Sequence, residues 1–260
     1  MSERYFEFQN VCKSFGDHEV LKDISFFAEQ GETAVIMGRS GVGKSVSLKL
    51  LMGFLEPDAG KIIVAGRDVT GWTEKQFSEI RRRVTMVFQS GALFDSLSVA
   101  ENVAFPLTGR TDGNSAKQES PEEIDRRVKE LLEMLEVGEF ADRLPSDLST
   151  GMKRAVAIAR ALADDPGAIL YDEPTTMVDP LMAAHIRDLI LKLKSKFRKT
   201  SIVVTHDTHL AKKIADRIIF LQDGGVGFFG TWVELENSQD PFLRNFLAQD
   251  ELIPALDATA

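Results

Sequence analysis

The apolar run TAVIM (33–37) leads straight into GRSGVGKS (38–45), and a helical pattern, VSLKLLMGF (46–54), follows. Strand, glycine-rich loop and helix in this order constrain the chain more than any other stretch. Gly38, Gly41 and Gly43 let the backbone turn tightly, so that N–H groups point at one place, and the helix N-terminus adds positive potential there. This is the pattern of a phosphate-binding loop, in which Gly38, Arg39, Ser40, Gly41, Val42, Gly43, Lys44, Ser45 and Val46 surround the phosphates. Lys44 reaches the β- and γ-phosphates, and Ser45 supplies a hydroxyl to Mg²⁺.

Two further apolar runs, AILYD (168–172) and SIVVT (201–205), have helical patterns between them, which predicts βαβ units and a parallel sheet. Ligands in such sheets sit at the carboxyl ends of the strands. That is where the acids Asp172 and Glu173 and the imidazole of His206 fall. Asp172 would hold Mg²⁺, Glu173 could take a proton from an attacking water, and His206 would contact a γ-phosphate. Alone, an acid pair or a histidine at a strand end is an ordinary structural feature; the phosphate loop upstream tips the reading to a nucleotide site. LSTGMKRAVAIARAL (148–162) is a small-residue turn opening a helix, with Ser149 placed as its cap. Gln89 follows the strand-like VTMVF (84–88) and alone carries no message.

Local signals mark other elements. Residues 217–229 read as two strands joined by the turn Asp223-Gly224-Gly225. Ser120, Pro121 and Glu123 form a helix start with a capping box. Ile124, Val128, Leu131, Leu132 and Leu135 then recur at helical spacing until Gly138, the expected stop. A second helix is expected from about Pro180 to Phe197. GRTDGNSAKQE (109–119) reads as a mobile loop. FQSGALFDSLSVAENVAFPL (88–107) is rich in apolar side chains yet carries Ser90, Gly91, Asp95, Ser96, Ser98 and Pro106, so it reads as neither a simple strand nor a simple helix. With the helix at 121–137 it looks like a lobe inserted between strand-rich halves. Near the end, Phe242, Leu243, Phe246 and Leu247 form an apolar stripe, which favours a contact with another subunit over packing on its own domain. The very end, DATA, reads as frayed.

Composition narrows the class. With 31 basic and 40 acidic residues and a formal charge of −9, the chain lacks the balance of a sequence-independent nucleic-acid binder. Cys12 is its one cysteine, which suits a reducing compartment. The N-terminus reads as no signal peptide, and no apolar run approaches a membrane span. The expected location is cytoplasmic, with any membrane attachment through another subunit.

Taken together, phosphate loop, glutamine, LSTG turn, DE pair, Asp179 in MVDP and His206, in that order across essentially the whole chain, resemble the nucleotide-binding subunit of an ABC transporter. The resemblance implies a P-loop NTPase (RecA-like) α/β core with a parallel sheet, an N-terminal antiparallel β portion and an inserted helical subdomain. Boundaries would be a cassette at 1–237, its helical insertion at about 89–160, and a C-terminal extension at 238–260. It implies ATP and Mg²⁺ as ligands, hydrolysis through Glu173, His206, Lys44 and Gln89, and Mg²⁺ held by Ser45, Gln89 and Asp172. Phe15 would stack on adenine, unless it is a core residue. Two copies would close head to tail on two ATP molecules. Ser149 and Gly151 would then cap the γ-phosphate held by the opposite copy, with Asp179 nearby. The segment 88–107 would line a groove for a short helix of a membrane permease, with Leu93, Phe94, Leu97, Val99, Val103 and Phe105 as groove or lobe core. That segment, the Gly151-Met152 ending and DPFLRNFL (240–247) are similar to the maintenance-of-lipid-asymmetry (Mla) type of MCE lipid transporters. This implies phospholipid or related cargo, a permease and an MCE-domain partner, and a place on the cytoplasmic face of the inner membrane.

There are departures from the family pattern. Thr150 replaces a glycine, Ala155 stands where an arginine is common, and Met177 begins the MVDP segment. Each is expected to lower turnover without abolishing it. Alternative readings are an amino-acid or lipoprotein transporter, against which 88–107 weighs, and a soluble ABC protein of translation or repair. The latter usually carries two cassettes, coiled coils or zinc modules, which this chain lacks. Glu173 disfavours a non-hydrolysing cassette.

Overall fold

The computed structural model describes residues 3–108 and 120–251. The expected loop at 109–119 and the DATA end lie outside the described residues. In chain order come β1 (Arg4–Phe15), β2 (His18–Glu29), β3 (Thr33–Met37), α1 (Lys44–Leu51), β4 (Ala59–Val64), β5 (Arg67–Asp68) and α2 (Glu74–Arg81). Next are β6 (Val84–Val87), α3 (Val99–Thr108), α4 (Pro121–Met134), α5 (Thr150–Ala163), β7 (Ala168–Asp172) and α6 (Pro180–Phe197). The chain ends with β8 (Thr200–Val204), α7 (Thr208–Ile214), β9 (Arg217–Gln222), β10 (Gly225–Gly230), α8 (Trp232–Glu236) and α9 (Pro241–Glu251). Two compact units result: residues through Arg81 with those from Ile190 on, and Arg82–Leu189.

In the first unit, β2-β1-β4-β5 form an antiparallel sheet. Phe6 and Phe8 alternate with half-buried Glu7 and Gln9, so one face is apolar, and Phe8 stacks on Phe26 at 4.5 Å. This is the expected N-terminal β portion. Beside it β3 lies between β8 and β9, parallel to both, in the registers Val35↔Val203 and Val35↔Ile218. All five residues of β3 and of β8 are buried, as continuous apolar runs in a parallel sheet require. The β9–β10 turn consists of Asp223 and Gly224, both left-handed (φ 51° and 85°), because a two-residue turn of that type matches strand twist. Gly225, expected in the turn, already begins β10 and pairs with Gln222 of β9.

The stripe on α9 is spent on its own unit. Leu243 is buried, and Phe242 and Phe246 meet the ring of Phe220 on β9 at 6.0 and 4.8 Å. The expectation that favoured a subunit contact is corrected to its alternative, packing on the chain's own domain: Phe220 of the buried strand β9 takes the two rings, while Phe242, Phe246 and Leu247 stay half-buried.

In the second unit, β6 and β7 pair in parallel, Val87 opposite Tyr171. Helices α3, α4 and α5 pack on one another around Val99, Val103, Val128, Leu131, Leu132 and Val156. The start of α4 is as expected, with Ser120 and Glu123 exchanging both bonds of a capping box. Its end is not at Gly138. The helix stops at Met134, and Glu136 takes the left-handed turn at φ 60°. Val137 N–H donates to Leu132 O at 2.9 Å and Glu136 N–H to Glu133 O at 3.1 Å, the paired bonds of a Schellman stop. Burial of Leu135 and Val137 on either side fixes the turn where a non-glycine residue stands. Glu136→Gly should therefore raise stability by about 0.5–1 kcal/mol, read as a higher urea midpoint at unchanged slope.

Half of the 88–107 stretch is helix. Ser98 Oγ accepts from Glu101 N–H (3.2 Å) and Glu101 Oε2 accepts from Ser98 N–H (2.7 Å), a capping box that opens α3. The preceding coil is held by Asn102, fully buried. Its amide donates to the carbonyls of Phe94, Leu97 and Ser98, each at 3.0 Å, and accepts from Phe94 N–H at 2.8 Å. A polar side chain inside an apolar helix face was the sequence signal for this knot.

Candidate functional site

The loop 38–43 leaves β3 and enters α1 through three left-handed glycines, with φ of 142°, 83° and 98° at Gly38, Gly41 and Gly43. Two of them are also sterically required. A Cβ on Gly38 would lie 2.5 Å from Leu221 O, and one on Gly43 would lie 2.4 Å from Leu21 Cδ2. At Gly41 nothing would lie within 4 Å, so the loop is open there. Lys44 is buried, and its ammonium donates to the carbonyls of Gly38 (2.9 Å) and Arg39 (3.1 Å), which folds it across the loop. Arg39 and Ser40 are exposed, whereas Val42, Ser45 and Val46 are half-buried around the helix start. An open loop with free-facing glycine, a lysine laid over it and a helix N-terminus beneath fits a polyphosphate.

His206 leaves β8 at the same end at which the loop leaves the neighbouring β3, since Ile36 pairs with Val204 and Thr205 N–H donates to Ile36 O at 3.1 Å. Its ring is exposed, and the next residue, Asp207, caps α7 by accepting from Leu210 N–H at 2.9 Å. Phe15, at the end of β1, is 48% exposed, which settles the alternative: it is not a core residue.

The second unit carries the acids. Asp172 ends β7 with its side chain buried, and Glu173 follows in a left-handed conformation, φ 47°. That conformation is unfavourable for glutamate by about 1–2 kcal/mol, so the surroundings must hold it. Thr176 Oγ1 donates to Glu173 Oε2 at 2.9 Å. Arg154, on α5 and only 1% exposed, donates to Glu173 O at 2.9 Å and to Thr176 O at 3.4 Å. Burial lowers the Arg154 guanidinium below its ordinary pKa, and the charge of Asp172 opposes that shift. Gln89, exposed, lies two residues past β6, at the same end as Asp172 on the adjacent β7, and its amide lies 3.8 Å from Met177 Sδ.

Ser149 caps α5 by accepting from Met152 N–H at 3.3 Å, and Thr150 stands exposed in the first turn. Gly151 is needed by its own chain, since a Cβ there would fall 1.9 Å from Met182 Cγ. Asp179 caps α6, its carboxylate accepting from Met182 N–H at 2.9 Å. The sequence assigns no role to Thr176 and places Arg154 only as the arginine adjacent to Ala155, although together they hold the turn at Glu173. Among the described residues no three His, Cys, Asp or Glu side chains gather into a metal cluster. Ser45, Asp172 and Gln89 each carry a side-chain oxygen, the donor type that Mg²⁺ takes.

This is the construction of an ATP-binding cassette, and the chain belongs to the ABC transporter family, whose profile matches residues 21–176. It is an ATP-binding ATPase subunit of that family. MlaF of Haemophilus influenzae, an intermembrane phospholipid transport ATP-binding protein, is 37% identical over 95% of this chain and 91% of its own. The probable ribonucleotide transport ATP-binding protein Mkl of Mycobacterium leprae is 36% identical over 93% of this chain and 68% of its own. The sulfate/thiosulfate import protein CysA of Synechococcus elongatus is 35% identical over 94% and 68%. Among solved structures, the ATP-binding cassette MJ0796, a dimer in a post-hydrolysis state with ADP and Pi, superposes with a TM-score of 0.77 at 35% identity. The match covers 87% of this chain and 98% of that one. Among the described residues no helix is long and apolar enough to cross a membrane.

Proposed function

We propose that this chain is the ATPase subunit of a transporter that moves phospholipids or related hydrophobic molecules between membranes. The observation that carries this is the fit to MlaF along nearly the whole of both chains, where Mkl and CysA extend well beyond the match. In this reading the loop 38–46 and Lys44 bind the phosphates of ATP, and Phe15 meets the adenine. Glu173 takes the proton of the water that attacks the γ-phosphorus, with ADP leaving, and His206 contacts the γ-phosphate. Ser45, Asp172 and Gln89 would hold Mg²⁺, which offsets charge developing on the phosphate oxygens. A second copy supplies Ser149 and Gly151 to close each nucleotide, and loss of phosphate reopens the pair.

A permease takes the helical face of the second unit. Phe94 and Phe105 are exposed, with ring centroids 4.5 Å apart. A groove of about 660 Å³ has Ala100, Val128, Leu132 and Ala141 in its wall, together with the charged Asp125, Lys129, Glu133, Glu136 and Glu139. The exposed aromatic pair suits an inserted short helix, and the carboxylates of the groove would suit basic residues on such a helix. The assembly sits on the cytoplasmic face of the inner membrane and includes an MCE-domain protein.

Purification from native membranes in mild detergent should bring down a permease, an MCE-domain protein and phospholipid. Recovery with a permease of another class would end the lipid reading. Phe94→Glu with Phe105→Glu should abolish permease recovery while the isolated subunit still hydrolyses ATP; undiminished recovery would move the docking surface elsewhere.

A further inference from the structure

Arg39 is the second residue of the phosphate loop, and its side chain turns away from it. The guanidinium lies 4.9 Å from the ring centroid of Phe242 on α9. The two residues are about two hundred positions apart, yet their supports converge. Phe242 N–H donates to Asp240 Oδ1 at 2.7 Å, which fixes the start of α9. The Phe242 ring also meets Phe220, fully buried on β9. Phe220 pairs in register with Met37, the last residue of β3 before the loop. Gly38 in turn packs on the backbone of Leu221. The C-terminal helix, the strand beneath it and the first turn of the loop thus form one packed block.

We infer that Phe242 is a positioning residue for the nucleotide: by holding Arg39 from outside, it pre-orders the first turn of the phosphate loop. The Arg39 carbonyl is one of the two that hold the Lys44 ammonium. A loop already ordered loses less freedom when ATP binds, so the effect falls on affinity. The ring contacts of Phe242 run to Arg39 and Phe220 and do not include Glu173, so the expected effect is on affinity and not on the chemical step. The inference rests on the reading of 38–46 as the ATP site.

A cation over an aromatic face is a modest interaction at an exposed site, which sets the expected size at about 2–5-fold. Phe242→Leu keeps apolar cover over Phe220 and removes the ring. It should raise the Kd and KM for ATP by about 3-fold with kcat unchanged. Phe242→Trp should restore wild-type affinity, because the π face returns. Arg39→Gln should weaken ATP binding at least as much as the leucine variant, and the double variant should be no worse than Arg39→Gln alone. Thermal unfolding of each variant reports whether α9 stays seated. Wild-type affinity in a folded Phe242→Leu protein, failure of Phe242→Trp to restore it, or additive losses in the double variant would each overturn the inference. Lys44→Ala, measured alongside with the same fluorescent ATP analogue, tests the site itself: retained binding there would remove the phosphate-loop reading, a different result from any at Phe242.

Discussion

Glu173→Gln is expected to hydrolyse ATP at least a hundred-fold more slowly than the native chain while binding ATP equally well. The side chain keeps its length and its oxygen, so it can still accept from Thr176 Oγ1, as Glu173 does at 2.9 Å. The left-handed backbone turn, set by neighbours and not by the carboxylate, should persist. Only the ability to take a proton is lost, and a positioned base contributes about 10²–10⁴ in rate. Because ATP would stay intact, the nucleotide-closed pair of cassettes should accumulate. Phosphate release and light scattering with and without ATP measure both consequences. A glutamine variant retaining more than about a tenth of native turnover would remove Glu173 as the base and leave His206 as the next group to test.

How much of this was legible depends on how far apart the interacting residues lie. The capping box at Ser120 and Glu123 spans three residues and was read directly; the same motif at Ser98 and Glu101 was passed over because the flanking Asp95, Ser96 and Pro106 looked irregular. The buried parallel strands were clear because an all-apolar run bounded by turn residues has few other uses. The end of α4 was misread because Gly138 is the better stop in isolation, and only burial of Leu135 and Val137 places the turn at Glu136. The destination of α9 depends on Phe220, more than twenty residues upstream, and no local pattern encodes it. The phosphate loop, acids and histidine were visible because motif spacing is local. Their supports were not: Arg154 stands one residue before Ala155, where an arginine is common, and its acceptors are carbonyls, which have no sequence signature.

That blind spot leads to the second large effect. Arg154→Met should lower turnover about a hundred-fold and also destabilise the fold, whereas ATP affinity should change little. The methionine fills the space but donates nothing, so two carbonyls lose their donor and Asp172 loses a neighbouring positive charge. Leaving a buried acceptor unmet costs about 1–3 kcal/mol, and these two half-buried carbonyls fall toward the lower end of that. Glu173 is then free to leave its left-handed conformation, and a displacement of about 1 Å at a catalytic group is enough for a hundred-fold loss. Arg154→Lys should be nearly as poor, because one ammonium cannot reproduce the planar fork that reaches both Glu173 and Thr176. The split between kcat and Kd decides the matter. A general loosening of the fold would weaken ATP binding along with turnover, whereas loss of the clamp at Glu173 slows the chemistry and leaves binding on the separate phosphate loop intact. If Arg154→Met turns over ATP at close to the native rate, the strained turn is self-supporting and Arg154 serves packing alone.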